Sequence, residues 1–186
     1  MSTTDRKRGP SIVGDDAGAA LVDFGFVIPI LIILTMGILE LTMIAMDYHR
    51  ASEAARSAVR QASMLGPMAE MDVVEGGGTL TCKYVSGAVD CEGETVTDAT
   101  IFTKIVGAVQ QVIPYVTAAN IEVRYEPSGI GDPDSPAGIL PILNLKLVGL
   151  RHEFLTMSVL GGLDGGLDLP EIEATAISSS VDSSNI

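Results

Sequence analysis

The chain has 186 residues, a formal net charge of −13, two cysteines and no tryptophan. Acidity on this scale repels phosphate backbones and sets nucleic acid aside as a partner. No HExxH, GxSxG, Walker or strand-following GxGxxG pattern occurs, so no enzyme class, cofactor or metal is indicated.

A polar leader, Met1 to Gly18, carries Arg6, Lys7 and Arg8 alongside Asp5, Asp15 and Asp16. It is followed by GAALVDFGFVIPILIILTMGILELTMIAM, Gly18 to Met46, in which Leu21 to Met46 holds only Asp23 and Glu40 as ionisable groups. At about 1.5 Å per residue, roughly 20 helical residues cross a hydrocarbon core, so this run spans a membrane with length to spare. Inside lipid the backbone must satisfy its own hydrogen bonds, which predicts a helix, and Pro29 near its start is tolerated there. A soluble core helix rarely needs so long a run, and a cleaved secretory signal has a shorter apolar region. The basic cluster at positions 6–8 precedes the span and only Arg50 follows closely, which predicts the N-terminus in the cytoplasm and the rest outside.

Asp23 and Glu40 are seventeen residues apart. At about 100° per residue they fall within about 20° of one face, separated by about 25 Å along the helix. One acid then lies near each membrane boundary. Glu40 either contacts a partner helix or reaches outward to water.

Gly18-Ala19-Ala20, Asp23-Phe24, Pro29 and Gly37-Ile38-Leu39-Glu40 together resemble the TadE-like segment of the tight-adherence (Tad) pilus system, a branch of the type IV pilin-like proteins. The resemblance implies that a prepilin peptidase cuts between Gly18 and Ala19. Asp23 and Phe24 then stand fifth and sixth in the mature chain. It further implies that the fifth acid pairs with the first amine of a neighbouring subunit during assembly. This chain carries Asp where the pattern usually carries Glu, which keeps the charge and shortens the reach. The partners implied are membrane lipid, other pilin-like subunits, the Tad assembly platform and the peptidase.

Beyond the span, Tyr48 to Leu65 reads as a continuation of the helix. Ala51, Ala54, Ala55, Ala58 and Ala62 favour it, and Ala55, Ala58, Val59 and Ala62 form a slim stripe that lets another element approach closely. Gly66-Pro67 stops it. Thr79 to Val85 and Ala88 to Cys91 alternate about a Ser86-Gly87 turn, a hairpin pattern. In an oxidising exterior compartment Cys82 and Cys91, across that hairpin, form a disulfide. Thr97-Asp98 caps a second helix running to about Gln111, with Ile101, Phe102, Ile105, Val106 and Val109 on its core face. Ile121 to Glu126 reads as a strand, Pro127 to Gly138 as a loop, Ile142 to Phe154 as a second strand and Glu171 to Asp182 as a third.

The remaining chemistry-like features read as structure. Asp132 and Asp134 lack the other ligands of a calcium loop. Gly161 to Leu169 echoes a calcium-binding nonapeptide in a single copy, which reads as a loop. His49 and His152 read as surface or interface residues. The expected layout is α+β: a cytoplasmic leader (1–18), a transmembrane helix (19–46), its extension outside (47–66) and an exterior domain (67–186) of a helix packed on an antiparallel sheet. The expected function is that of a TadE-like minor pilin, or pseudopilin, in the inner membrane. The alternative is a membrane-anchored exterior binding module without a pilus role.

Overall fold

The computed structural model describes residues 16–131, 139–154 and 165–178. A single helix, α1 (Asp16–Leu65), runs unbroken through Pro29 for 50 residues, about 75 Å at the ordinary helical rise. Gly66 ends it with a φ of 80°, the left-handed conformation that glycine adopts at helix C-termini without steric cost.

The two ends of α1 face different surroundings. Every large apolar side chain from Leu21 to Leu34 is at least 45% exposed, and this is the helix long and apolar enough to cross a membrane. Beyond Arg50, by contrast, Ala51, Ala54, Ala55, Ala58, Val59 and Ala62 are buried. They anchor a head domain that holds ten further elements among the described residues. After a single helical turn, α2 (Asp72–Glu75), come β1 (Leu80–Val85), β2 (Ala88–Asp90) and α3 (Ala99–Gln110). A short 3-10 turn (Ala118–Asn120) leads into β3 (Ile121–Gly131), followed by β4 (Ile139–Leu147), β5 (Arg151–Glu153), β6 (Gly166–Asp168) and β7 (Ile172–Ile177).

Five strands form one antiparallel sheet in the order β2-β1-β3-β4-β7, and β5 pairs with β6 as a separate hairpin. The period-two alternation of each strand puts one row after another against the helices. Leu80, Tyr125, Leu143 and Ala176 stand side by side, as do Cys82, Val123, Leu145 and Ala174. Small side chains thus meet small side chains where α1 lies over β7. Backbones can approach closely there, and Ala58 is fully buried. Ala58→Leu should therefore destabilise the head by about 1–3 kcal/mol through overpacking, read as a lower urea midpoint in detergent.

The opposite face of the sheet is polar. Asp90, Lys83, Glu122, Lys146 and Glu173 follow one another across five strands. Opposite charges on neighbouring strands support register, and Lys146 adds an ion pair to Glu171 at 2.6 Å. This alternation makes that face a solvated one.

Local signals explain the elements. Ser86 and Gly87 both take positive φ, 52° and 95°, as the tight two-residue turn of a hairpin requires. Asp98 caps α3: its carboxylate accepts from the Thr100 amide at 2.8 Å, satisfying a donor that the helix leaves unpaired. The Thr100 hydroxyl and amide hold Asp98 below the usual carboxylate range. Cys82 and Cys91 are joined, and both are fully buried. Their nine-residue separation corresponds to about 2.5 kcal/mol of loop-closure entropy. Reduction, or Cys82→Ser, should lower head stability by about that amount, measured as the unfolding free energy with and without reductant.

The strands differ from expectation in three places. β6 (Gly166–Asp168) is a strand, paired with β5, inside the Gly161 to Leu169 stretch expected as a loop. β3 continues to Gly131, its pairing with β4 shifted between Pro127 and Gly131, so the front of the expected loop is strand. The stretch from Ile142 to Phe154 is two strands, not one. Val148 to Leu150 interrupts it, with Gly149 at φ 64°, and the Val148 amide turns to the Asn120 carbonyl at 2.9 Å. Asp132, Asp134 and residues 161–164 lie outside the described residues, as does the leader up to Asp15.

Candidate functional site

Two places on α1 carry the residues singled out by sequence. The first is the N-terminal turns. Gly18 lies inside the helix and is exposed, with nothing near the position a Cβ would take. Asp23 and Phe24 follow one turn later and also point outward, Phe24 at 66% exposure. Ala19 lies in the same turn. This end of the rod presents an acid and an aromatic ring side by side, and no part of the described head covers them.

The second place is where the head meets the rod. Glu40 is 1% exposed, although it sits in an otherwise bare apolar stretch. His152, at the centre of β5, lies against it. The ring bridges two turns of α1: its Nε2 lies 3.3 Å from Glu40 Oε1 and its Nδ1 lies 2.6 Å from Asp47 Oδ2. Glu40 and Asp47 are seven residues apart, two helical turns, so they stand on one face. An imidazole hydrogen-bonded to a carboxylate at each nitrogen donates from both, which is the imidazolium form. Burial works against that charge, and the hydrogen bonds that the ring donates to Asp47 and Glu40, with the charges of those carboxylates, more than offset it, so the His152 pKa is raised. Neither nitrogen is left to act as a general base. The arrangement is a clasp between the last third of the chain and the root of the head.

The hairpin that carries His152 is built for close approach. Its register sets His152 opposite Leu167 and Glu153 opposite Gly166. A Cβ at Gly166 would collide with the His152 carbonyl oxygen and the Arg151 side chain. Gly166→Ala should therefore displace the hairpin and open the clasp, read as increased hydrogen exchange at Arg151 to Glu153. Arg151 pairs with Asp168 across the hairpin at 3.3 Å, and Phe154 lies edge-on to the His152 ring at 6.3 Å. Beside the clasp, Met43, Asp47, Tyr115, Arg151, His152 and Glu153 line an open depression of about 490 Å³. Burial and then the Asp47 charge push the Tyr115 phenol up, while Arg50 opposes them.

Glu40 is thus engaged within its own chain. Asp23, on the same face lower down, is not part of the clasp. Cys82 and Cys91 meet as expected. His152 is buried between two elements of one chain, and Asp47 is the member that sequence reasoning did not single out. Its signal was the seven-residue spacing from Glu40. Among the described residues no group of three His, Cys, Asp or Glu is placed to hold a metal ion.

A family model described as TadE-like protein matches residues 18–60. The match covers the outward-facing acid, the bare apolar stretch, Glu40 and Asp47, and most of the alanine stripe. No curated protein and no solved structure matches the chain.

Proposed function

We propose that this chain, a TadE-like protein over residues 18–60, is a minor pilin, or pseudopilin, that takes part in assembling a Tad pilus. The observation that carries the proposal is the division of α1. One unbroken helix offers bare apolar side chains and an acid at one end, and is the spine of a folded head at the other. That division suits a subunit whose apolar rod is stored in the membrane and can pack against other rods. The leader is cytoplasmic and the head lies outside the inner membrane, a topology supported by Arg6, Lys7 and Arg8 before the span. The buried disulfide fits an oxidising exterior compartment.

Processing would follow Gly18. The cut leaves a positive amine on Ala19, one helical turn from Asp23, and the acid is then available to a neighbouring subunit's amine. A membrane anchor for a binding module has no need of that constellation. Mass spectrometry of protein purified from cells containing the Tad prepilin peptidase is the test. The expected result is a mature chain that begins at Ala19 and disappears in Gly18→Leu. A wild-type chain that keeps its leader under those conditions overturns the processing step.

A further inference from the structure

The membrane boundary differs on the two sides of α1. Towards the head, protein contact begins at Glu40, which is 1% exposed, and continues through Met43, Ile44 and Asp47, each partly covered. On the opposite side Leu41 and Met46 remain 67% and 54% exposed, and Thr42 and Ala45 between them are also exposed and uncharged. The first charge on that side is beyond Met46. Leu21 to Leu39 alone covers about 28 Å, close to the hydrocarbon thickness, whereas Leu21 to Met46 covers about 39 Å. The seven steps from Glu40 to Asp47 rise about 10 Å, enough to cross the polar layer of about 5–8 Å on one side of a bilayer.

We propose that the underside of the head, where strands β5 and β6 and Tyr115 lie, is a lipid-binding surface seated in the outer headgroup layer. This rests on the membrane-spanning assignment made above. The clasp holds the hairpin at the level of Glu40 to Asp47, the height at which the rod's other side still requires lipid. Leu167, opposite His152 on that hairpin, is 46% exposed, and Tyr115 is 56% exposed beside Asp47. Tyrosines with an apolar body and a polar tip concentrate at this depth in membranes. Arg50, exposed at the same level, and Arg151, half-exposed in its pair with Asp168, are the cations within reach of lipid phosphates. Glu40 escapes the cost of a carboxylate near hydrocarbon because His152 lies against it. The depression beside the clasp opens into this layer.

The native cysteines are both in the disulfide, so a single introduced cysteine takes a single fluorescent label. The full chain carrying Leu167→Cys, Tyr115→Cys, Met64→Cys or Ile33→Cys is labelled and placed in phosphatidylethanolamine–phosphatidylglycerol vesicles. Quenching is measured with lipids that bear a nitroxide in the headgroup or deep in the acyl chain. Met64 is 74% exposed and 24 residues beyond Glu40, about 36 Å up the rod. Headgroup nitroxide should quench the labels at positions 167 and 115 at least about twofold more than the label at position 64, as interfacial depth requires. Equal quenching at all three, with position 33 quenched by the deep nitroxide, overturns the seating and leaves the span intact. No deep quenching at position 33 overturns the span itself.

Discussion

Replacing His152 by alanine should cost the head about 3 kcal/mol of stability, the scale set by removing one partner from a buried charged pair. The change takes the imidazole from Glu40, which is 1% exposed, and from Asp47, and leaves the β5–β6 hairpin without its tie to α1. Stability is read by urea unfolding in detergent, and hairpin docking by hydrogen exchange at Arg151 to Glu153. His152→Phe separates charge from volume, since it fills the site without a proton. If both variants unfold like the wild type, the clasp is not a stabilising contact.

The same contact sets a pH dependence. The groups facing His152 are Glu40 and Asp47 on α1, with Arg151 and Glu153 beside it on β5 and Tyr115 across the depression. Its pKa is raised by folding, so the folded state holds the proton more tightly than the unfolded state. The contribution is therefore complete below the unfolded value of about 6.5 and fades as pH rises through the raised folded value. Wild-type stability, relative to His152→Phe, should fall on going from pH 6 towards alkaline pH, on the scale expected for a histidine switch. A difference that stays flat across that range would mean that His152 docks as a neutral ring.

How far the sequence goes in predicting this molecule depends on the distance over which each signal acts. The long helix, its stop at Gly66, the Ser86-Gly87 turn and the Asp98 cap are local, decided by residues within a few positions of one another, and they were legible. So was the alanine stripe, because helical spacing alone aligns it. The disulfide was legible because only two cysteines exist and a hairpin joins them. Glu40 was a different matter. Periodicity placed it at the membrane edge but left its partner open, since the partner is 112 residues away. His152 reads as a surface or interface histidine until the strand interruption at Val148 to Leu150 takes β5 out of the main sheet. Alternation of apolar residues from Ile142 onward concealed that break, and Gly149 was its one local mark. Gly166 was visible as a glycine, but only the path of the facing strand explains why no side chain fits there.

Asp23→Ala should abolish incorporation of this subunit into assembled pili while leaving its membrane insertion intact or improved. A carboxylate near the hydrocarbon edge costs about 2.5–3.5 kcal/mol on insertion scales, so alanine favours the membrane. Asp23 is exposed on the bare part of α1, away from the head, so folding should be unaffected. On the function proposed above, the substitution removes the charge offered to a neighbour's amine. Asp23→Glu tests reach against charge: it keeps the carboxylate, adds one methylene and restores the residue usual at that place in TadE-like segments. Assembly should survive Asp23→Glu and fail in both Asp23→Ala and Asp23→Asn, scored by recovery of the protein in sheared pilus fractions and by surface pili counted in micrographs. The head's own disulfide and urea midpoint report folding in each variant. Normal pili with a correctly inserted, folded Asp23→Ala subunit would assign the acid to the headgroup layer and leave the rod's apolar surface to drive packing on its own.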